Sequence, residues 1–193
     1  NIIGGSTMFV EGNLLSGNSG DGVEITGGSG TVIKGNQIGV HSGFADMGNT
    51  GAGVFVSGAA VNTPIGGTAT TDRNIISGNG NDGIALSAGT GTMIKGNLIG
   101  LGSTDSVVAN GGDGIGINAG SGAVTIGGVT ADERNVISGN ALHGVHMETS
   151  GGHTIVGNYI GLAADGSTDR GNVMDGVLIN NSNTNTVGGG TAG

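Results

Sequence analysis

Apolar residues come in short bursts of one to three along this chain, and nowhere at helical spacing. The stretch Asn74-Ile75-Ile76-Ser77-Gly78-Asn79 returns as Asn135-Val136-Ile137-Ser138-Gly139-Asn140 and is foreshadowed by Asn13-Leu14-Leu15-Ser16-Gly17-Asn18, at an interval of 61 residues. A fixed period of this kind marks a repeat architecture. A second element, Asn-x-Ile-Gly, begins at Asn36, Asn97 and Asn158; Asn36 lies 23 residues after Asn13 and 38 before Asn74. Each unit then reaches a Gly-Val or Gly-Ile step, at Val23, Val54, Ile84, Ile115, Val145 and Val177. A lone aliphatic closes it: Ile33, Ile65, Ile94, Ile126, Ile155, Val187. In Val23-Glu24-Ile25, Ile84-Ala85-Leu86 and Ile115-Gly116-Ile117 the outer residues are apolar and the middle one is free, which is the period of a half-buried strand. Three short strands per unit, in six units, predict an all-β solenoid: a right-handed single-stranded parallel β-helix.

Stacked coils pair in parallel at about 4.8 Å per layer, so six make a rod of roughly 30 Å. Equivalent residues then form aliphatic columns, one of them Leu15, Ile38, Ile76, Ile99, Ile137, Ile160. The expected organisation is one domain over 1–193, with repeats at about 13–73, 74–134 and 135–193, and 1–12 ending a preceding coil. The chain opens at Asn1-Ile2-Ile3-Gly4-Gly5 and closes at Asn185-Thr186-Val187-Gly188-Gly189, the same point of the repeat. The expectation is a segment of a longer array, or one that stacks end to end on copies of itself.

Composition sharpens this picture. There are 47 Gly and one Pro, and aromatics are 2% of the chain. Gly and Asn suit tight corners because both tolerate left-handed backbone. Inward amides at Asn18, Asn79 and Asn140 are expected to bond to the Asn above and below. The net charge is −9, from 14 acids against five Lys plus Arg. That excludes a basic nucleic-acid footprint and argues against an anionic membrane surface. There is no Cys, hence no disulfide framework. No apolar run reaches the length of a membrane-spanning helix.

The pattern Ile65-Gly66-Gly67 … Arg73-Asn74-Ile75-Ile76-Ser77-Gly78-Asn79 … Asp82-Gly83-Ile84 resembles the Gly/Asn-rich repeats of large bacterial surface and secreted proteins. More broadly the chain resembles the pectate-lyase-like β-helix superfamily. The resemblance implies a secreted or cell-surface location. Because that superfamily holds lyases, hydrolases, epimerases, adhesins and stalks, it fixes no activity.

Three constellations could carry chemistry. The first is acid/base attack on a polysaccharide. Lys34 and Lys95, and Arg73 and Arg134, are repeat copies, whereas a catalytic group is normally unique. The repeat is broken at Ala163–Arg170, where one extra residue accompanies Asp165, Asp169 and Arg170; these are the candidate catalytic residues. The second is a calcium ladder at Asp21, Asp82, Asp113 and Asp175, one corner of four coils, with Ala52 and His143 in the other two. Calcium is the cofactor such an oxygen-rich corner would take; the plain alternative is Asp side chains closing their own turns. The third is a binding face, the outward stripe Leu14, Gln37, Ile75, Leu98, Val136, Tyr159, unless the loops 66–73 and 127–134 cover it. Phe9, Phe44, Phe55 and Tyr159 are the whole aromatic supply for stacking sugars. His41, His143, His146 and His153 show no carboxylate spaced to join them as metal ligands.

These readings favour a structural solenoid segment, a stalk, adhesin spacer or fibre, without catalysis or cofactor. Its partners would be flanking repeats or copies of itself. The alternative is a carbohydrate-active β-helix, lyase-like or carbohydrate-binding, with a polysaccharide as partner.

Overall fold

The computed structural model describes residues 1–6, 10–40 and 47–189; Phe9, His41 and Phe44 lie outside the described residues. The chain forms parallel strands that come in triplets. The first three are β1 (Ile2–Gly4), β2 (Leu14–Leu15) and β3 (Val23–Ser29), followed by β4 (Val32–Lys34), β5 (Gln37–Ile38) and β6 (Val54–Val61). The third coil holds β7 (Pro64–Gly66), β8 (Ile75–Ile76) and β9 (Ile84–Leu86), and the fourth β10 (Thr92–Lys95), β11 (Leu98–Ile99) and β12 (Ile115–Ile117). The fifth holds β13 (Val124–Gly127), β14 (Val136–Ile137) and β15 (Val145–Glu148). The sixth holds β16 (Thr154–Val156), β17 (Tyr159–Ile160) and β18 (Val177–Asn180), and β19 (Thr186–Val187) starts another turn. Strands in the same place of successive coils pair in parallel, giving one sheet of seven strands and two of six. This is a parallel β-helix of six turns. A 3-10 turn at Thr70–Asp72 is the sole helical piece among the described residues.

The register follows the sequence period. Ile33, Ile65, Ile94 and Ile126 stack in the first sheet. Ile38, Ile76, Ile99 and Ile137 stack in the second, and Val54, Ile84, Ile115 and Val145 in the third. All twelve of these side chains are 0% exposed. Burying one such aliphatic is worth roughly 1.5–3 kcal/mol, against about 0–1 kcal/mol for an exposed ion pair, so the columns hold the fold.

Between the columns the corners need polar partners, because buried backbone groups there have none in the ladders. Two asparagine ladders supply them. In one, Asn18, Asn49, Asn79, Asn110, Asn140 and Asn172 pass Nδ2–H to the next Oδ1 at 2.7–2.9 Å. In the other, Asn13, Asn36, Asn74, Asn97, Asn135 and Asn158 do the same at 2.9–3.1 Å. The sequence pattern points to three members of the first and does not point to the second, although the same Asn heads every copied motif.

The Ser of Ile-Ser-Gly-Asn has its own task. Ser77 Oγ donates to Leu101 O at 2.8 Å and accepts Gly100 N–H at 3.0 Å. Ser138 repeats this with Leu162 O and Gly161 N–H. Each anchors a small hairpin, closed by Leu101 with Val107 and by Leu162 with Asp169. The extra residue of the third repeat is absorbed in the second hairpin. At Gly66 glycine is required: its φ is +84°, and a Cβ would overlap the Lys95 carbonyl of the next coil.

The middle of the outward stripe of the second sheet is covered, while Leu14 at its first strand is exposed. Ile75, Leu98 and Val136 are 3% exposed and pack with Leu101. The apolar cover is therefore the hairpin after β11. The loop ending at Arg134 contributes its guanidinium, 4.1 Å above the Tyr159 ring. His153, 1% exposed, accepts Val124 N–H on Nδ1 and faces Ser150 Oγ with Nε2. Burial pushes its imidazole below the ordinary range.

Candidate functional site

The charged side chains are used first between coils. Lys34 pairs with Asp72 at 2.9 Å, and its repeat copy Lys95 with Glu133 at 2.8 Å. The Lys95 ammonium, helped by Thr130, holds the Glu133 carboxyl at about 2. Arg73 Nε donates to Gly96 O and Arg134 Nε to Gly157 O. A surface cavity of about 250 Å³ lined by Pro64, Met93, Asp72 and Lys95 lies beside these pairs, so both its charges already have partners.

The Ala163–Arg170 break does not converge. Asp165 accepts Ser167 N–H, Thr168 N–H and the Thr168 hydroxyl, which hold its carboxyl well below the usual range. Asp169 accepts Gly171 N–H. Arg170 reaches away to Asp105 O in the earlier hairpin, at 2.9 Å, and to Asp169 O. The two carboxylates and the guanidinium thus serve the turn and its neighbour, with no common point in front of them.

The aspartate corner is different. Asp21, Ala52, Asp82, Asp113, His143 and Asp175 stand in one column at the entry to the third sheet. The sequence reading has each Asp closing its own turn. Instead Oδ1 reaches along the column: Asp21 accepts Ala52 N–H, Asp82 accepts Asp113 N–H, and Asp113 accepts His143 N–H, at 2.6–2.9 Å. The neighbouring coil is the nearer donor, because the layer spacing is about 4.8 Å and the corner N–H points along the axis.

Both histidines on β15 and its approach join this corner, which corrects the expectation that no carboxylate reaches them. His146 Nδ1 donates to Asp113 Oδ2 at 3.1 Å, and its Nε2 is buried without a partner among the described residues. His143 Nδ1 lies 3.3 Å from Asp175 Oδ2. The two rings are 5.4 Å apart. Gly116 makes room: Asp82 Oδ2 occupies the space its Cβ would take. Burial pushes the Asp82 carboxyl above its ordinary range; the Asp113 N–H opposes this, the Asp113 charge adds to it, and His146 opposes it again. Only the coil register could have shown this site, since His146 sits beside Gly116 at a separation of 30 residues.

Among the described residues no group of three or more His, Cys, Asp or Glu is placed to hold a metal ion, and Asp21, Asp82 and Asp113 already accept backbone N–H groups. Calcium in this column remains a proposal, with a direct measurement attached. A carboxyl whose folded pKa is raised lends stability that is full below its unfolded value and lost as pH rises. Asp82→Asn removes that cost while keeping the Oδ1 acceptor. We expect it to melt above the parent at pH ~7, where the parent carboxyl is charged, and EDTA to leave both unchanged. A Ca²⁺-dependent rise in melting temperature, absent in Asp82→Asn, would instead establish the cation ladder.

No protein-family model and no curated protein matches this sequence. Among solved structures, the crystal structure of the periplasmic alginate epimerase AlgG is similar, with 18% sequence identity and a TM-score of 0.47. The match covers 87% of this chain and 36% of that one, so the chain spans about a third of that protein's length. No chemistry is carried across from it. Among the described residues no helix is long and apolar enough to cross a membrane.

Proposed function

We propose that this chain is a structural β-solenoid segment of a secreted or cell-surface protein, serving as a stalk, adhesin spacer or fibre element. One observation carries the reading. All five Lys and Arg side chains of the chain are engaged in contacts that tie one coil to another: Lys34, Arg73, Lys95, Arg134 and Arg170. A β-helix that acted on an acidic polysaccharide would hold a cation free for it. The location rests on the resemblance of the repeats. As partners the reading takes flanking repeats or further copies of this chain; Val187 is more than half exposed although its column neighbour Ile155 is 3% exposed, and a further coil would cover it.

A carbohydrate-active reading is favoured by a different observation. The Asp113–His146 pair breaks the repeat, since His146 stands where the preceding repeats carry Ala85 and Glu24. One assay separates the two. The purified chain, incubated with pectate, alginate and other polyuronates with and without Ca²⁺, is expected to give neither unsaturated uronate nor a change in uronate composition. A product signal abolished by Arg170→Ala or His146→Ala would replace the structural reading with the enzymatic one.

A further inference from the structure

We infer that His143 is a proton-operated latch between the fifth and sixth coils. Its Nδ1 receives the Asp175 backbone N–H while the ring is neutral, and turns to the Asp175 carboxylate once the ring is protonated.

One nitrogen of His143 has two incompatible neighbours. Asp175 N–H points at His143 Nδ1 from 3.2 Å, which needs a lone pair there. Asp175 Oδ2 lies 3.3 Å from the same atom, which needs a hydrogen there. A ring nitrogen offers one or the other, so gain of a proton exchanges the partners. At Asp21, Asp82 and Asp113 the acceptor of the next N–H is a carboxylate Oδ1, while Ala52 offers none. A carboxyl keeps an acceptor oxygen when protonated; an imidazole does not. Imidazole is also the side chain whose charge changes between about pH 5 and 8. Position 143 is therefore the side-chain link of this column that a proton can break, at the joint where Asp175 leads into β18.

Charged and titratable groups face this ring from the neighbouring coils. Asp175 faces it from the sixth coil. Asp113, from the fourth, accepts its backbone N–H through Oδ1 and holds His146 through Oδ2. Asp82 accepts Asp113 N–H one coil further back. Glu148 lies on the same outward face of β15 as His146. His146, 5.4 Å away ring to ring, is the opposing neighbour. The change is local, because Gly144 N–H still bonds Asp175 O and Val145 N–H still bonds Gly176 O. What loosens is the corner of the sixth coil, with the stack intact.

The test is an NMR titration of the ¹⁵N-labelled chain from about pH 8 to 5, above the range near 4 where carboxyl groups ordinarily titrate. The Asp175 amide resonance is expected to move with the midpoint of the His143 ring, and its protection from hydrogen exchange, corrected for the intrinsic pH effect, to fall several-fold. His143→Asp restores the residue type that stands at the repeat-equivalent positions Asp21 and Asp82 and should abolish both changes. His146→Gln should keep them. His153 is present in all three chains, so its titration cannot produce the difference. An Asp175 amide that stays still through the His143 midpoint overturns the inference, as does a response that survives in His143→Asp or disappears in His146→Gln.

Discussion

Asn97→Leu is expected to cost more than ~4 kcal/mol or to leave the chain unfolded, although Leu fills nearly the same volume. The Asn97 Oδ1 receives Asn74 N–H and Asn74 Nδ2–H, and its Nδ2 donates to Ile65 O, Lys95 O and Asn135 Oδ1. The residue is 1% exposed, so water cannot take over these five bonds. A buried group left without its partner costs about 1–3 kcal/mol, and two such losses already approach ~4 kcal/mol, a large share of the ~5–15 kcal/mol that holds a domain. Urea unfolding followed by circular dichroism measures it. A loss below ~1 kcal/mol would mean that the ladder contributes little and the aliphatic columns stand alone. The same change at Asn158, which is partly exposed, should cost distinctly less.

The second expectation is that removing 61 residues is milder than removing one. Deleting residues 74–134 joins Arg73 to Asn135 and lays Ile137 against Ile38, and Asn135 against Asn36, in the places now held by Ile76 and Asn74. Every column stays in phase. Two of six coils are lost, so with neighbour interfaces adding roughly independently the shorter form should keep its β-sheet spectrum and melt lower. Deleting Ala85 alone leaves the coil number intact but slips Leu86 into the outward place and Ser87 into the core. Such a slip exchanges the two faces of a strand. Leu86 is 1% exposed, and losing a buried aliphatic of that size costs about 2–5 kcal/mol before the hydroxyl is buried. If the long deletion unfolds while the Ala85 deletion folds normally, the coils are not interchangeable units.

What was legible in the sequence was whatever the period copies. Ile33, Ile65 and Ile94 declare a column because each is the aliphatic that closes its unit, and the Asn of Ser-Gly-Asn declares a ladder because a corner leaves its amide no other role. What was hidden depends on which residue of one coil meets which residue of the next. Asp113 reaches the N–H of His143 and the ring of His146, 30 and 33 residues ahead. Those separations are fixed by the loop lengths of each coil, which no local motif encodes. Leu101 as the cover of Ile75 and Leu98 was hidden for another reason: it belongs to a hairpin held by Ser77, and a serine in a corner motif looks like turn chemistry.

The two asparagine ladders also give the rod a direction. Each Nδ2–H donates to the Oδ1 of the following coil and never to the preceding one. The amide dipoles are therefore aligned over all six coils in both ladders, and aligned hydrogen bonds polarise one another. The first coil presents amide oxygens, and the last presents amide nitrogens whose hydrogens bond back to Ile126 O, Val156 O and Ile137 O, so the two ends are as unlike as the poles of a magnet. Any coil added at either end must arrive in the same orientation to continue the ladders. Two such rods brought together by like ends would set oxygen against oxygen or hydrogen against hydrogen, so growth along this axis runs one way and symmetric pairing through the ends is disfavoured.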